Sequence, residues 1–171
     1  MEFKCYETER LYLRPTTVAD AAFVLSLLNS EKWLQYIGDR NVKTVADACK
    51  YIEEKMLPQL YRTGFSNYTV IRKADDIKIG SCGLYDREGI DGVDIGFAFL
   101  PEYENMGYGF ESARKILEMA KADFDIKIIS AITTKDNLSS QKLIKRLGFK
   151  RNGIVVLPQA IERLLLYKIY L

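Results

Sequence analysis

Apolar and polar residues alternate from Leu11 to Arg14, which predicts a short strand closed by Pro15. Thr17 and Asp20 then stand at capping-box spacing, with Asp as a shorter stand-in for Glu, and open a helix over Val18 to Asn29. Thr44 and Asp47 repeat the device. Val45, Cys49, Ile52 and Met56 follow at helical intervals, so a second helix is expected to about Leu57, before Pro58. Between the two lies Ser30 to Arg40, read as a loop holding Trp33, Tyr36 and Gly38.

The pattern then changes period. Asn67 to Arg72 and Ile77 to Tyr85 are β-rich runs joined by polar residues 73–76, a hairpin signature, and Val93 to Leu100 is a third such run. Phe110, Ala113, Leu117, Ala120 and Phe124 recur at three and four, predicting a long helix. Ile126 to Thr134 reads as a strand. Ser139 to Leu147 reads as a short helix stopped by Gly148. Ile154 to Leu157 and Arg163 to Leu171 close the chain as strands. A strand–helix–strand unit from Val93 to Thr134 implies one parallel pair in a mostly antiparallel sheet. The expected class is mixed α/β with helices on both faces.

Composition narrows the chemistry. The 171 residues suit a single domain spanning 1–171, and no linker or repeat divides them. Lys plus Arg number 25 against 23 Asp plus Glu, and this +2 balance argues against a nucleic-acid partner. No apolar run reaches membrane-spanning length. The charged start Met1 to Arg10 lacks a signal-peptide core, so a cytoplasmic location is expected. Cys5, Cys49 and Cys82 form no metal-binding spacing and read as reduced thiols. The chain has no histidine, which removes Ser-His-Asp, Cys-His and histidine–metal chemistry. A general base here must be a carboxylate, tyrosine, lysine, thiolate or water relay.

The most informative stretch runs from Val93 to Ala113. A strand enters a loop with Gly107 and Gly109, and the loop opens a helix. Free N–H groups at such a helix start suit a phosphate. Neither a Walker-type loop nor the three-glycine dinucleotide fingerprint is present. A plain turn is the alternative at this point.

Glu104-Asn105-Met106-Gly107-Tyr108-Gly109 resembles the phosphate loop of the GNAT superfamily of acetyl-CoA-dependent N-acetyltransferases. That loop reads Gln/Arg-x-x-Gly-x-Gly/Ala, and Glu104 departs from it. The run Asn137 to Phe149 is similar to the Asn-x-x-Ser…Lys-x-Gly-Phe signature of the RimJ/RimL-like branch, ribosomal-protein N-terminal acetyltransferases, with Arg146 in the Lys place. Glu7 to Pro15 and Ile79 to Leu84 also resemble that branch.

The resemblance implies an acyl-CoA N-acyltransferase fold and an acetyl-CoA co-substrate, with no metal. The backbone of Phe97, Ala98 and Phe99 would pair with the pantetheine arm. Met106, Gly107, Tyr108, Gly109 and Phe110 would wrap the pyrophosphate. Asn137 would bond the pantetheine, and Ser140 would stand near the sulfur as a proton donor. Many members carry a tyrosine acid where this chain has Ile144, which leaves Ser140 or solvent for that task. The base is open between Asp94, where related enzymes often carry Glu, and a water relay.

The residues themselves add further expectations. Asp94, Gly96 and Ala98 share one strand face, where small neighbours leave room for substrate. Lys142 belongs to a basic stretch, Lys127 to Arg151, suited to the phosphates of coenzyme A. Asp86, Glu88, Asp91 and Asp94 suggest an acidic rim for a cationic amine. Trp33, Tyr36 and Tyr85 offer flat walls for an acceptor, and Cys82 reads as packing rather than an acyl carrier. The acceptor stays open among a peptide N-terminus, a polyamine and an aminoglycoside. The apolar strand Leu164–Leu171 offers an interface for a homodimer. A non-catalytic acyl-CoA sensor of the same fold is the alternative to an enzyme.

Overall fold

The computed structural model describes residues 3–158 and 160–171. In chain order the elements are β1 (Tyr6–Glu7), β2 (Leu11–Pro15), α1 (Ala21–Leu28), α2 (Glu31–Tyr36), α3 (Val45–Tyr51), α4 (Leu57–Thr63), β3 (Asn67–Arg72) and β4 (Ile77–Tyr85). Then come β5 (Val93–Phe99), α5 (Tyr108–Phe124), β6 (Ile128–Thr133), α6 (Leu138–Arg146), β7 (Lys150–Val155) and β8 (Leu164–Tyr170). The strands form one sheet in the order β1-β2-β3-β4-β5-β6-β8-β7. Every neighbouring pair is antiparallel except β5–β6. The expected mixed α/β architecture is therefore present.

Cross-strand partners share a face, so register sorts the sheet into two sides. Tyr68, Cys82 and Phe97 lie in line and meet α5, whose Ala113, Ile116 and Ala120 are fully buried in the larger core. Thr69 and Ser81 lie on the other side, where Thr69 Oγ1 reaches Asp20 ahead of α1. A second, smaller core joins α1 and α3 through Val24, Leu28, Ala48 and Ile52. Helices thus cover both faces.

Three local expectations differ from the structure, each for a physical reason. Residues Glu31–Tyr36 form a helical turn and a half rather than a loop, because Ser30 adopts extended backbone and lets a short helix begin. The second helix does not stop before Pro58. It widens into a π turn over Ile52–Met56, where Leu57 N–H bonds Ile52 O, and so makes room for the proline ring. It ends at Gly64, with φ +84°. The strand expected at Ile154–Leu157 begins earlier, at Lys150, through polar residues that carry no hydrophobic signal. The final strand, β8, lies between β6 and β7 with both edges paired. It is thus interior to the sheet. Among the described residues no helix is long and apolar enough to cross a membrane.

Candidate active site

The parallel pair is short. Val93 pairs with Ile129 and Asp94 with Ser130, and there the pairing ends although both strands continue. Beyond Asp94 the two strands part. Leu100 N–H bonds Ile79 O on the β4 side. Antiparallel alternation then directs the backbone groups of Ala98, Gly96 and Asp94 to β4, and those of Ile95, Phe97 and Phe99 into the gap. A row of free donors and acceptors therefore lines the opening.

At the end of β5 the chain turns through Pro101–Tyr103 into the glycine loop. Asn105 and Gly107 both take left-handed backbone, φ +58° and +83°. The first helical bond of α5 is Glu111 N–H to Gly107 O. The N–H groups of Tyr108, Gly109 and Phe110 thus precede the helical ladder and point out of the helix start, as an anion requires. Gly109 has no spare room: a Cβ there would lie 3.1 Å from Leu143 Cδ2 and 3.6 Å from Phe99 Cε2.

Arg10 fixes this loop from outside. Its Nε donates to Glu111 at 2.7 Å and its Nη1 to Met106 O at 3.0 Å. Its guanidinium lies 4.5 Å from the Tyr108 ring centre. Glu111 also accepts from Thr8 Oγ1 at 2.5 Å and from the Arg10 N–H at 2.9 Å. Burial acts to raise the Glu111 carboxyl, but these hydrogen bonds outweigh it and hold it below its usual range. The opening motif around Arg10 is therefore a brace for the glycine loop, a role its sequence alone does not disclose.

Gap and loop open into one cleft of about 390 Å³. Phe97, Ala98 and Phe99 form its floor, and Gly107 to Phe110 one end. The start of α6 forms a wall through Asn137, Ser140 and Lys142. Asn137 Oδ1 accepts the Ser140 N–H at 3.2 Å and caps α6, leaving the Asn137 amide nitrogen to donate elsewhere. Trp33 and Tyr36 of α2 line the opposite side, so the short helix replaces the expected loop in that place. Met106 is half exposed beside the cleft, its carbonyl turned to Arg10. Ile144 is buried in the core rather than facing the cleft.

Three expected site residues do not line this cleft: Met106, which lies beside it, and Asp94 and Tyr85. Asp94 was expected to face open space beside Gly96. That space is filled by Tyr85, whose Cε2 would lie 2.8 Å from a Cβ at Gly96. Asp94 itself is fully buried and bonded by Arg87 at 3.1 and 3.2 Å. Burial pushes its carboxyl up, against the opposing pull of the Arg87 guanidinium. Tyr85 donates its hydroxyl to Asn67 Oδ1 at 2.6 Å, and burial raises it too. The acidic rim also dissolves: Asp86 pairs with Arg62, and none of Asp86, Glu88, Asp91 or Asp94 lines the cleft. Of the basic stretch only Lys142 and Arg146 reach it, and the Arg146 guanidinium rests 4.2 Å from the Phe110 ring centre. Burial pushes the Cys82 thiol up to about 12, so it is protonated at neutral pH and inert as an acyl carrier.

Sequence reasoning passed over Lys32. It lines the cleft from α2 and its Nζ bonds the Glu104 carboxylate. A lysine on a segment read as loop gave no signal, because its partner lies 72 residues away.

Comparison with known proteins fits this geometry. Residues 10–150 match the family described as acetyltransferase (GNAT) domain. The uncharacterized N-acetyltransferase YnaD of Bacillus subtilis is 27% identical over 146 residues, 85% of this chain and 82% of that protein. An acetyltransferase from Agrobacterium tumefaciens superposes with TM-score 0.83 at 18% identity, covering 100% of this chain and 96% of that one. A RimL ribosomal alpha-N-protein acetyltransferase in complex with coenzyme A also reaches 0.83, at 17% identity over 98% of each chain. The strand gap, the glycine loop and the family match agree, and the chain belongs to the GNAT family of N-acetyltransferases.

Proposed function

We propose that the chain, acting as one domain, binds acetyl-CoA in this cleft and transfers the acetyl group to a primary amine by direct attack. One observation carries the reading: a parallel strand pair that parts after two residues, beside a helix start with free N–H groups. In this reading the pantetheine arm lies along the gap and bonds the backbone of Phe97 and Phe99, as an added strand would. The Asn137 amide donates to the same arm. The pyrophosphate rests on residues 107–110, with Lys142 supplying charge.

The amine nitrogen attacks the thioester carbonyl, the C–S bond breaks, and the thiolate leaves. Backbone N–H groups of β5 hold the developing oxyanion. Ser140 lies on the wall where the sulfur would sit and donates the proton to it. The ammonium loses its proton through water in the cleft, since Asp94 is locked to Arg87 beneath Tyr85. Orientation supplies much of the acceleration.

Trp33 and Tyr36 hold the acceptor. The cleft lining carries one carboxylate, Glu104, already paired with Lys32. That favours an acceptor with a single cationic amine over a polyamine. The RimJ/RimL-like run Asn137 to Phe149 supports a peptide α-amine as the first candidate. A cytoplasmic location suits that substrate.

Thiol release from acetyl-CoA, measured against peptides, polyamines and aminoglycosides, tests the reading. Turnover with a peptide α-amine is expected. Tight coenzyme A binding without turnover on any amine would instead identify an acyl-CoA sensor.

A further inference from the structure

We propose that Lys32 is a coenzyme A phosphate-binding residue that offsets the carboxylate Glu104 places in the phosphate loop. This rests on the coenzyme A reading above.

Glu104 stands immediately before the left-handed turn at Asn105 and Gly107 and lines the cleft. A fixed carboxylate there faces the negative charges of any pyrophosphate seated on residues 107–110. Like charges a few ångströms apart at a partly desolvated surface repel strongly. A loop that binds a diphosphate beside its own carboxylate needs a cation to cancel that repulsion.

Lys32 supplies it. Its Nζ bonds the Glu104 carboxylate, and both side chains line the same cleft. The ammonium has three N–H donors and Glu104 uses one, so donors remain for phosphate oxygens. Glu104 in turn holds the lysine at the loop, where a long side chain would otherwise sweep solvent. The glycine loop therefore borrows its charge from α2, a different layer of the fold. Trp33 and Tyr36 belong to that same helix. A bound pyrophosphate consequently fastens one wall of the acceptor side.

A double-mutant cycle tests this. Calorimetry measures coenzyme A binding to the wild type, Lys32→Met, Glu104→Gln and the double variant, and kinetics compare acetyl-CoA with acetyl-pantetheine, which lacks phosphates. Lys32→Met is expected to weaken coenzyme A about tenfold at low salt, with the difference shrinking as salt rises. The loss with acetyl-pantetheine should be much smaller, because that substrate carries no phosphate for the ammonium to bond. Glu104→Gln should bind as tightly as wild type or tighter. The double variant should bind at least about threefold tighter than Lys32→Met, because the stranded carboxylate is gone. Unchanged affinity in Lys32→Met, a double variant no better than that single one, or equal losses with acetyl-pantetheine would each overturn the proposal. Failure of the wild type to bind coenzyme A would overturn the underlying reading instead.

Discussion

The two sides of the cleft are built differently. The glycine-loop side is made largely of backbone: the free edge of β5, the left-handed turn and the first N–H groups of α5. The α2 side is made of side chains, Trp33, Tyr36 and Lys32, on a helix of six residues. Backbone recognition needs glycines and strand breaks at fixed positions. Side-chain recognition tolerates almost any residue, provided the helix presents it. The first can therefore be read from spacing, whereas the second requires the fold.

If that contrast is sound, the largest effect comes from filling the backbone side. Gly109→Val places methyl groups where a Cβ already meets Leu143 and Phe99. Coenzyme A affinity should fall about tenfold or more, since displaced N–H groups lose their phosphate contacts. Calorimetry checks this, and a melting curve confirms that the variant folds.

Loosening the brace should act next. Arg10→Met removes the bonds to Glu111 and Met106 O and the contact with the Tyr108 ring, although Arg10 itself does not line the cleft. The KM for acetyl-CoA should rise about fivefold with kcat retained, as expected when binding alone is lost. A fall in kcat with KM intact would assign Arg10 to the chemistry.

Ser140→Ala sharpens the comparison on the α6 wall. Turnover should drop about threefold to tenfold while coenzyme A binds normally, because the Asn137 cap uses the Ser140 backbone N–H and not its hydroxyl. Trp33→Ala probes the side-chain region. It should raise the KM for the amine about threefold and leave coenzyme A affinity within about twofold, read from initial rates and calorimetry.

A last comparison, read on stability rather than on activity, separates two buried aspartates. For Asp20, burial would raise the carboxyl, but hydrogen bonds from Arg14, Lys78 and the Thr17 N–H hold it at about 2. A depressed pKa adds stability above the unfolded value near 4, and that stability is lost as pH falls through about 2. Asp94 is shifted the other way, so the native state holds its proton longer and stability declines as pH rises above about 4 through its folded pKa. Denaturant melts across acid pH should show Asp20→Asn flattening the steep acid limb. Asp94→Asn should remove the opposing slope.

How much the sequence disclosed follows the same division. Alternation and helical spacing located β3, β4, β5, α5 and α6, and the loop 104–109 together with Asn137 and Ser140 marked residues that the fold brings to one cleft. Long-range side-chain pairing stayed hidden. Nothing near Arg10 announces Met106, nothing near Lys32 announces Glu104, and Asp94 looked available because Tyr85 over Gly96 is a contact across strands. The π turn before Pro58 escaped for a related reason: a proline reads as a stop unless the backbone widens to admit it.

The most direct test is the structure of the chain with coenzyme A bound. A second cleft of about 400 Å³ lies alongside, where Arg10, Arg114, Lys115 and Arg146 stand among Glu7, Glu9, Glu111 and Glu118. The account predicts the pantetheine arm in the gap against Phe97 and Phe99, with the pyrophosphate on the N–H groups of residues 107–110. A pantetheine arm outside that gap, with the phosphates held in the second cleft, would contradict it.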